Sequence, residues 1–208
     1  MRLELDGVGH AFKGQSWLFR NLDAGLISGR VYALTGPSGS GKSTLLSIIA
    51  GWLTPREGKV VLQPHARISW VFQNPHGVAG RTALDHVALP FLARGIRPKE
   101  ADQLSKELLD RFRLSQLASK RFSHLSGGEA QRLMLARGVA TDPDVLLIDE
   151  PTAQLDRTTA RSINDVISMT ARAGRIVVVA THDAETRDAC SDNLDLAQWA
   201  ATEKRALR

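Results

Sequence analysis

The chain has 208 residues, 43% hydrophobic and 24% charged, enough for one sizeable core with room for a subdomain. Its 27 Lys and Arg against 22 Asp and Glu give a net charge of +5, a mild excess that reads as a solvated surface, with contact to anionic lipid or nucleotide phosphate as the weaker reading. Aromatics at 5% argue against an aromatic-lined sugar or nucleic-acid platform, and the single cysteine, Cys190, excludes an internal disulfide. The first residues, Met1 to Asp6, lack the apolar core of a signal peptide, and no stretch approaches the roughly 20 apolar residues that cross a bilayer. The expectation is a cytosolic protein whose membrane role, if any, comes through a partner.

Residues 2–8 and about 17–27 alternate apolar and polar side chains, the pattern of strands in an antiparallel edge. Val31 to Leu34 is a continuous apolar run and predicts a buried strand. Gly36 to Gly41 is a loop, and Lys42 opens a helix through about Ala50 with Gly51 as its stop. Lys59–Leu62 and Ile68–Phe72 predict short strands. From about residue 81 to 138 no strand is convincing. Ala101, Leu104, Leu108, Leu109 and Phe112 there fall at helical spacing behind Pro98, which suits a first helical turn. Strands resume at Val145–Ile148 and Ile176–Val179, both composed as parallel strands covered on two faces, with a helix over Leu155–Arg172 between them. Residues 197–208 read as a polar helical tail with no further domain. The alternation of strand and helix predicts an α/β fold: a parallel sheet with an antiparallel β edge and an inserted α-helical subdomain. It makes residues 1–208 a single domain, with 1–80 and 139–208 as core and about 81–138 as the insertion.

The loop Gly36-Pro37-Ser38-Gly39-Ser40-Gly41-Lys42-Ser43-Thr44 matches G-x-x-x-x-G-K-[ST], between a predicted strand and a predicted helix. Glycines let backbone N–H groups turn inward onto phosphates, and the helix start adds its positive end. Lys42 is then set to reach the β- and γ-phosphates and Ser43 to ligate Mg²⁺. Asp149 and Glu150 end the run Val145–Ile148, where a carboxylate points into the ligand crevice of a parallel sheet. Asp149 can hold Mg²⁺ through water, and Glu150 can orient or deprotonate an attacking water. Alone, such an acidic pair is often a helix N-cap; opposite a phosphate loop, the catalytic reading is the stronger. Ser126 in Leu125-Ser126-Gly127-Gly128-Glu129 is a natural N-cap, and the two glycines bare helix-terminal N–H groups, a second anion site in one chain.

With Gln131-Arg132 following that second element, the sequence resembles the nucleotide-binding subunit of an ATP-binding cassette (ABC) transporter, from about residue 2 to 196. GPSGSGKST resembles the Walker A loop, LSGGEAQR the family signature and VLLIDEP the Walker B strand, with Glu150 at the catalytic-glutamate position. The resemblance implies further roles. Gln73 in VFQNP becomes the glutamine that senses Mg²⁺ and the attacking water and touches the membrane partner. Asp156 in AQLD falls in the D-loop. His182 in ATHD becomes the switch histidine against the γ-phosphate, and Phe12 in GVGHAFKG the aromatic that stacks on adenine. It implies the ABC-type P-loop NTPase fold with a RecA-like core, and ATP and Mg²⁺ as cofactors. It also implies a head-to-tail homodimer in which Ser126, Gly127, Gly128 and Asp156 serve the partner's nucleotide. Membrane permease subunits would dock near Gln73 and the following helix, placing the protein at the cytoplasmic face of the membrane.

TALDHVALPFLARG, LSGGEAQR and DEPTAQLD look like the MacB/LolD/FtsE group, which serves lipoprotein release, macrolide, peptide or haem efflux, and cell-division control. Lys42 and Gln73 are only 31 positions apart, shorter than is usual in that group and closer to small importer ATPases. Lys42 and Asp149 are 107 apart, which leaves no room for the coiled coil of DNA-repair relatives, and one cassette is not the two of ribosomal ones.

Overall fold

A computed structural model describes residues 1–153, 155–172 and 174–200. In chain order, β1 (Arg2–His10) and β2 (Phe19–Ile27) lead into β3 (Val31–Thr35), α1 (Lys42–Ile49), β4 (Glu57–Val61) and β5 (Ile68–Val71). Three helices follow, α2 (Ala83–Ala93), α3 (Pro98–Arg111) and α4 (Gly127–Ala140). The chain then runs through β6 (Val145–Asp149), α5 (Arg157–Arg172), β7 (Ile176–Ala180), α6 (Ala184–Asp188) and β8 (Asp192–Asp195). One sheet is antiparallel, ordered β2-β1-β4; the other is parallel, ordered β5-β6-β7-β3-β8. This is the α/β architecture that the sequence predicts.

Side-chain alternation divides the interior into two cores. Tyr32 and Leu34, Val145 and Leu147, and Ile176, Val178 and Ala180 face α1 and the antiparallel sheet. There they meet Leu45, Leu46, Ile48 and Ile49 of α1 and Leu3, Leu5, Val8, Phe19, Leu22 and Leu26 of the edge strands. Val31, Leu146, Ile148, Val177 and Val179 face the opposite way, onto Leu133, Met134 and Leu135 of α4 and Ile163, Val166 and Ile167 of α5. A period of two with both faces covered explains why these strands read as unbroken apolar runs. Each fully buried leucine or isoleucine contributes about 1.5–3 kcal/mol relative to exposure.

The segment between β5 and β6 is helical among the described residues, apart from one isolated bridge between Thr82 and Arg121. Thr82 and Asp85 form a capping box that starts α2, and Pro98 occupies the first turn of α3, where its missing N–H costs nothing. Ala101, Leu108, Leu109 and Phe112 bury the apolar face of α3 and its end. Asp142, just past α4, accepts from Arg67 at 2.8 Å, Arg94 at 3.1 Å and Arg175 at 3.0 Å. It thereby ties the end of α2 to the entries of β5 and β7. These groups are partly exposed, so the cluster matters more for alignment than for stability.

Several boundaries and one strand differ from the sequence reading. The strand expected from Lys59 begins at Glu57, where it pairs with Gly9 of β1. The helix expected from Leu155 begins at Arg157, because Asp156 accepts from the Thr159 amide at 3.0 Å and ends the preceding turn. β8 was not anticipated: Asp192-Asn193-Leu194-Asp195 is polar because it lies at the sheet's edge. Leu196–Trp199 form a short 3-10 turn, and the rest of the expected helical tail, from residue 201, lies outside the described residues.

Leu147 is fully buried between α1 and the neighbouring strands. Leu147→Ala is expected to cost about 2–5 kcal/mol of stability in urea unfolding. A loss well under 1 kcal/mol would place this strand outside the core.

Candidate active site

The register of the parallel sheet brings three strand ends level. Ala180 of β7 pairs with Leu34 of β3 on one side and with Asp149 of β6 on the other. The ladder then runs on past the strands: Glu150 N–H donates to Ala180 O at 2.9 Å, and Thr181 N–H to Leu34 O at 3.1 Å. The phosphate loop, the acidic pair and the segment of His182 therefore leave the sheet along one edge, where a doubly wound sheet binds its ligands.

Gly41 closes the loop and caps α1 with a φ of 94°, and no side chain caps this helix. A Cβ at Gly41 would also come within 2.9 Å of the Phe19 ring, so only glycine fits. The first amides of α1 therefore have no side-chain acceptor, the arrangement that receives an anion. Lys42 Nζ donates to Gly36 O at 3.0 Å and Pro37 O at 3.3 Å, which holds its ammonium over the loop. Ser38 and Gly39 are exposed, and Thr44, the third residue of the helix, is half-buried. The Ser40 hydroxyl is buried beneath Gly36.

Ser43 Oγ donates to Asp149 Oδ2 at 2.8 Å, joining α1 to the end of β6 across 106 positions of sequence. Burial is the main cause that raises the Asp149 pKa above the ordinary carboxylate range, and the neighbouring Glu150 charge adds to it. The Ser43 bond and Lys42 offset only part of this. A half-buried carboxylate beside a hydroxyl is a set of hard oxygen donors short of positive charge, and it fits a small divalent cation such as Mg²⁺.

Glu150 has a φ of 45°, an uncommon conformation for a non-glycine residue. Its Oε1 lies 2.9 Å from His182 Nδ1, with the carboxylate mostly buried and the imidazole 70% exposed. The pair places a base at the sheet edge with a histidine reaching beyond it into solvent. Asp183 and Thr186 hold the segment after His182: Thr186 N–H and its hydroxyl both donate to Asp183 Oδ2, at 2.8 and 2.7 Å.

Other expected residues lie further out. Phe12 is exposed in the β1–β2 connection, its ring edge-on to His10 at 5.1 Å between centroids. That connection lies beside the phosphate loop, since Leu18 and Phe19 at its far end are the atoms nearest Gly41. Gln73 is exposed and lines a cavity of about 110 Å³ that it shares with Gly127 and Gln131. No hydrogen bond among the described residues joins Gln73 to Ser43, Asp149 or Glu150. Ser126 Oγ accepts from the Glu129 amide at 3.3 Å, while Glu129 Oε2 accepts from the Ser126 amide at 2.7 Å. Gly127 faces open space, whereas a Cβ on Gly128 would meet Thr159 of α5 at 2.7 Å. Asp156 caps α5.

A comparison with known families decides what this arrangement is: the ABC transporter family pattern matches residues 19–153. The chain belongs to the ABC transporter family. An ABC transporter ATP-binding protein of Thermotoga maritima is 35% identical over 184 residues, covering 81% of this chain and 79% of that protein, and is itself uncharacterized. The solved cassette MJ0796, a dimer in a post-hydrolysis state with ADP and Pi, superposes with a TM-score of 0.80 at 28% identity over 93% of both chains. The fold alone is shared with cbiO1 of Clostridium perfringens, part of the transporter complex cbiONQ, with a TM-score of 0.84 at 23% identity over 93% of this chain and 83% of that one. The chain is thus an ABC transporter ATPase subunit.

Two features of this ABC ATPase have no counterpart in the sequence reading. Gln131 is named there only as part of the signature, yet it is buried and lines the same cavity as Gln73. Trp52, Trp70 and Phe72 stack with centroids 5.0, 5.1 and 5.9 Å apart, with Trp52 67% exposed. Low overall aromatic content hid this local cluster; the signal was a tryptophan directly after the helix stop at Gly51.

Glu150→Gln is expected to lower steady phosphate release by about 100-fold or more while ATP still binds, as removal of a general base does. Normal turnover in that variant would sink the assignment. Asp149 makes a pH prediction. Its folded pKa is raised, so burying the charge costs stability above the ordinary carboxylate pKa, and below it nothing is lost. Without nucleotide, Asp149→Asn should unfold at higher urea than the parent at pH 7 and at the same urea near pH 3. Lower stability at pH 7 would show that the charge is already compensated.

Proposed function

We propose that two copies of this ATPase close head to tail around two ATP molecules and that the closure drives a pair of membrane permease subunits. One observation carries this reading. The helix start at Ser126, Gly127 and Gly128 is a second anion site, and among the described residues no hydrogen bond joins it to the phosphate loop of its own chain. An anion-binding helix start left over in one chain is explained if it completes the nucleotide site of another. Ser126 then acts twice, its oxygen capping α4 and its hydroxyl proton free for a phosphate. Gly127 and Gly128 offer backbone N–H groups, and Asp156 lies at the same interface.

Within each site the chain's own groups divide the work. The amides of Gly36, Ser38, Gly39, Ser40 and Gly41, with those of Lys42, Ser43 and Thr44, cradle the phosphates. Lys42 moves from the carbonyls of Gly36 and Pro37 to the β- and γ-phosphates. Phe12 stacks on the adenine, steadied by the His10 ring. Ser43 and Gln73 would hold the metal directly and Asp149 would hold it through water. When bound, Mg²⁺ neutralises charge building on the phosphates. Glu150 accepts the proton of the attacking water, and His182, released from Glu150, turns to the γ-phosphate. Residues 81–138 act as the helical unit that carries the signature toward the partner copy, with residues 1–80 and 139–208 as the core.

The permease surface is the aromatic stack of Trp52, Trp70 and Phe72 with the adjoining hollow of about 500 Å³. Asn74, His76, Met134 and Arg137 line that hollow beside Gln73. Clustered exposed aromatics mark a partner surface more than a solvated one. Among the described residues no helix is long and apolar enough to cross a membrane, so this contact would hold the ATPase at the cytoplasmic face of the membrane. TALDHVALPFLARG and DEPTAQLD support membership of the MacB/LolD/FtsE-type group, and with it efflux or transmission of the stroke to an extracellular enzyme. The short spacing of Lys42 and Gln73 favours a second reading, the ATPase of a small-molecule importer.

Ser126→Arg separates the two halves of the composite site. The isolated subunit should bind ATP within about two-fold of the parent, because its own loop is untouched, while steady hydrolysis is lost. Equilibrium nucleotide binding and phosphate release read the two arms. Loss of binding would show that the signature serves its own chain's nucleotide.

A further inference from the structure

Gln131 stands one turn into α4 and is 3% exposed. Both its amide atoms are buried, and neither makes a hydrogen bond to any described residue. Such a group is costly, and a leucine of similar size would serve a merely structural role better. Gln131 lines the 110 Å³ cavity together with three segments to which hydrolysis is assigned above. Gln73, Asn74 and Pro75 belong to the loop after β5. Gly127 belongs to the signature, and Pro151, Ala153 and Leu155 follow directly on Asp149 and Glu150. Pro75 and Pro151 have no N–H to offer, and the side chains of Ala153 and Leu155 are apolar. Among the described residues, the polar side chains on this wall are therefore Gln131 itself, Gln73 and Asn74. The cavity has room for the amide to swing or for bridging water.

We propose that Gln131 is a positioning residue for hydrolysis: when α4 and the 73–75 loop close on nucleotide, its amide hydrogen-bonds that loop, directly or through water, and sets Gln73 toward Glu150. The amide, which has no partner among the described residues, gains one on closure. This rests on the role given to Gln73 above. It adds that the signature helix reports its position to the catalytic edge of its own chain, as well as to the partner's nucleotide.

The test uses the full chain with Mg²⁺ and ATP. Gln131→Leu should keep or raise the melting temperature and keep the KM for ATP within about two-fold, while kcat falls by roughly 10- to 100-fold, the scale of a misplaced catalytic group. Gln131→Asn, which keeps a shorter amide, should recover part of the rate. In a cycle with Gln73→Ala, the double variant should be no slower than Gln73→Ala alone, as expected when one residue acts through the other. Unchanged kcat in Gln131→Leu would overturn the proposal, as would a fall in kcat matched by a fall in melting temperature. Full additivity with Gln73→Ala would also overturn it. Unchanged turnover in Gln73→Ala alone would instead remove the role assigned to Gln73, so the two readings fail separately.

Discussion

Parallel pairing of β3, β7 and β6 carries three carboxyl ends to one edge of the sheet, with Leu34, Ala180 and Asp149 in register. From that edge the chain leaves in three directions, and each exit delivers residues of the proposed site. β3 releases the glycine loop and Lys42, β6 releases Glu150, and β7 releases His182. The pairing is fixed by burial: alternate side chains of each strand belong to opposite cores, so a one-residue slip would turn every apolar side chain to the wrong face. The precision of the site is thus inherited from packing far from solvent. The Ser43–Asp149 bond then locks the first helix to the neighbouring strand end.

The groups gathered there are held in states that nucleotide would relieve. Asp149 is a half-buried carboxylate without enough positive charge, the first turn of α1 has no side-chain cap, and Lys42 rests on loop carbonyls. A ligand that satisfies all three binds one arrangement of the protein far better than others. Driving a two-state equilibrium from about 1:99 to 99:1 takes about 5.5 kcal/mol of differential affinity. A triphosphate that also meets the amides of a second helix start could supply it through a few charge-assisted hydrogen bonds. Two such sites in one dimer would share the load.

Much of this was legible in the sequence, and the reasons are physical. Val31–Leu34, Val145–Ile148 and Ile176–Val179 announced themselves because strands buried on both faces have no polar positions. The glycine loop and the Asp-Glu pair were readable because phosphate chemistry restricts which residues can stand there. β8 escaped because an edge strand needs little apolar content, and α5 began late because Asp156 serves as its cap. The cavity around Gln131 was illegible for a different reason. A glutamine on a helix reads as surface, and only the packing of three distant segments buries it. The Trp52, Trp70 and Phe72 stack likewise joins a turn to a strand through tertiary contact alone.

The central claim is that the catalytic edge of one chain is half of a site. Static light scattering of Glu150→Gln at saturating MgATP tests it most directly, because ATP held without turnover should keep the composite site closed. The account predicts a mass that doubles from one chain to two on adding ATP and returns to one chain when Ser126→Arg is combined with it. A mass of one chain at every ATP concentration, with ATP demonstrably bound, would contradict the account.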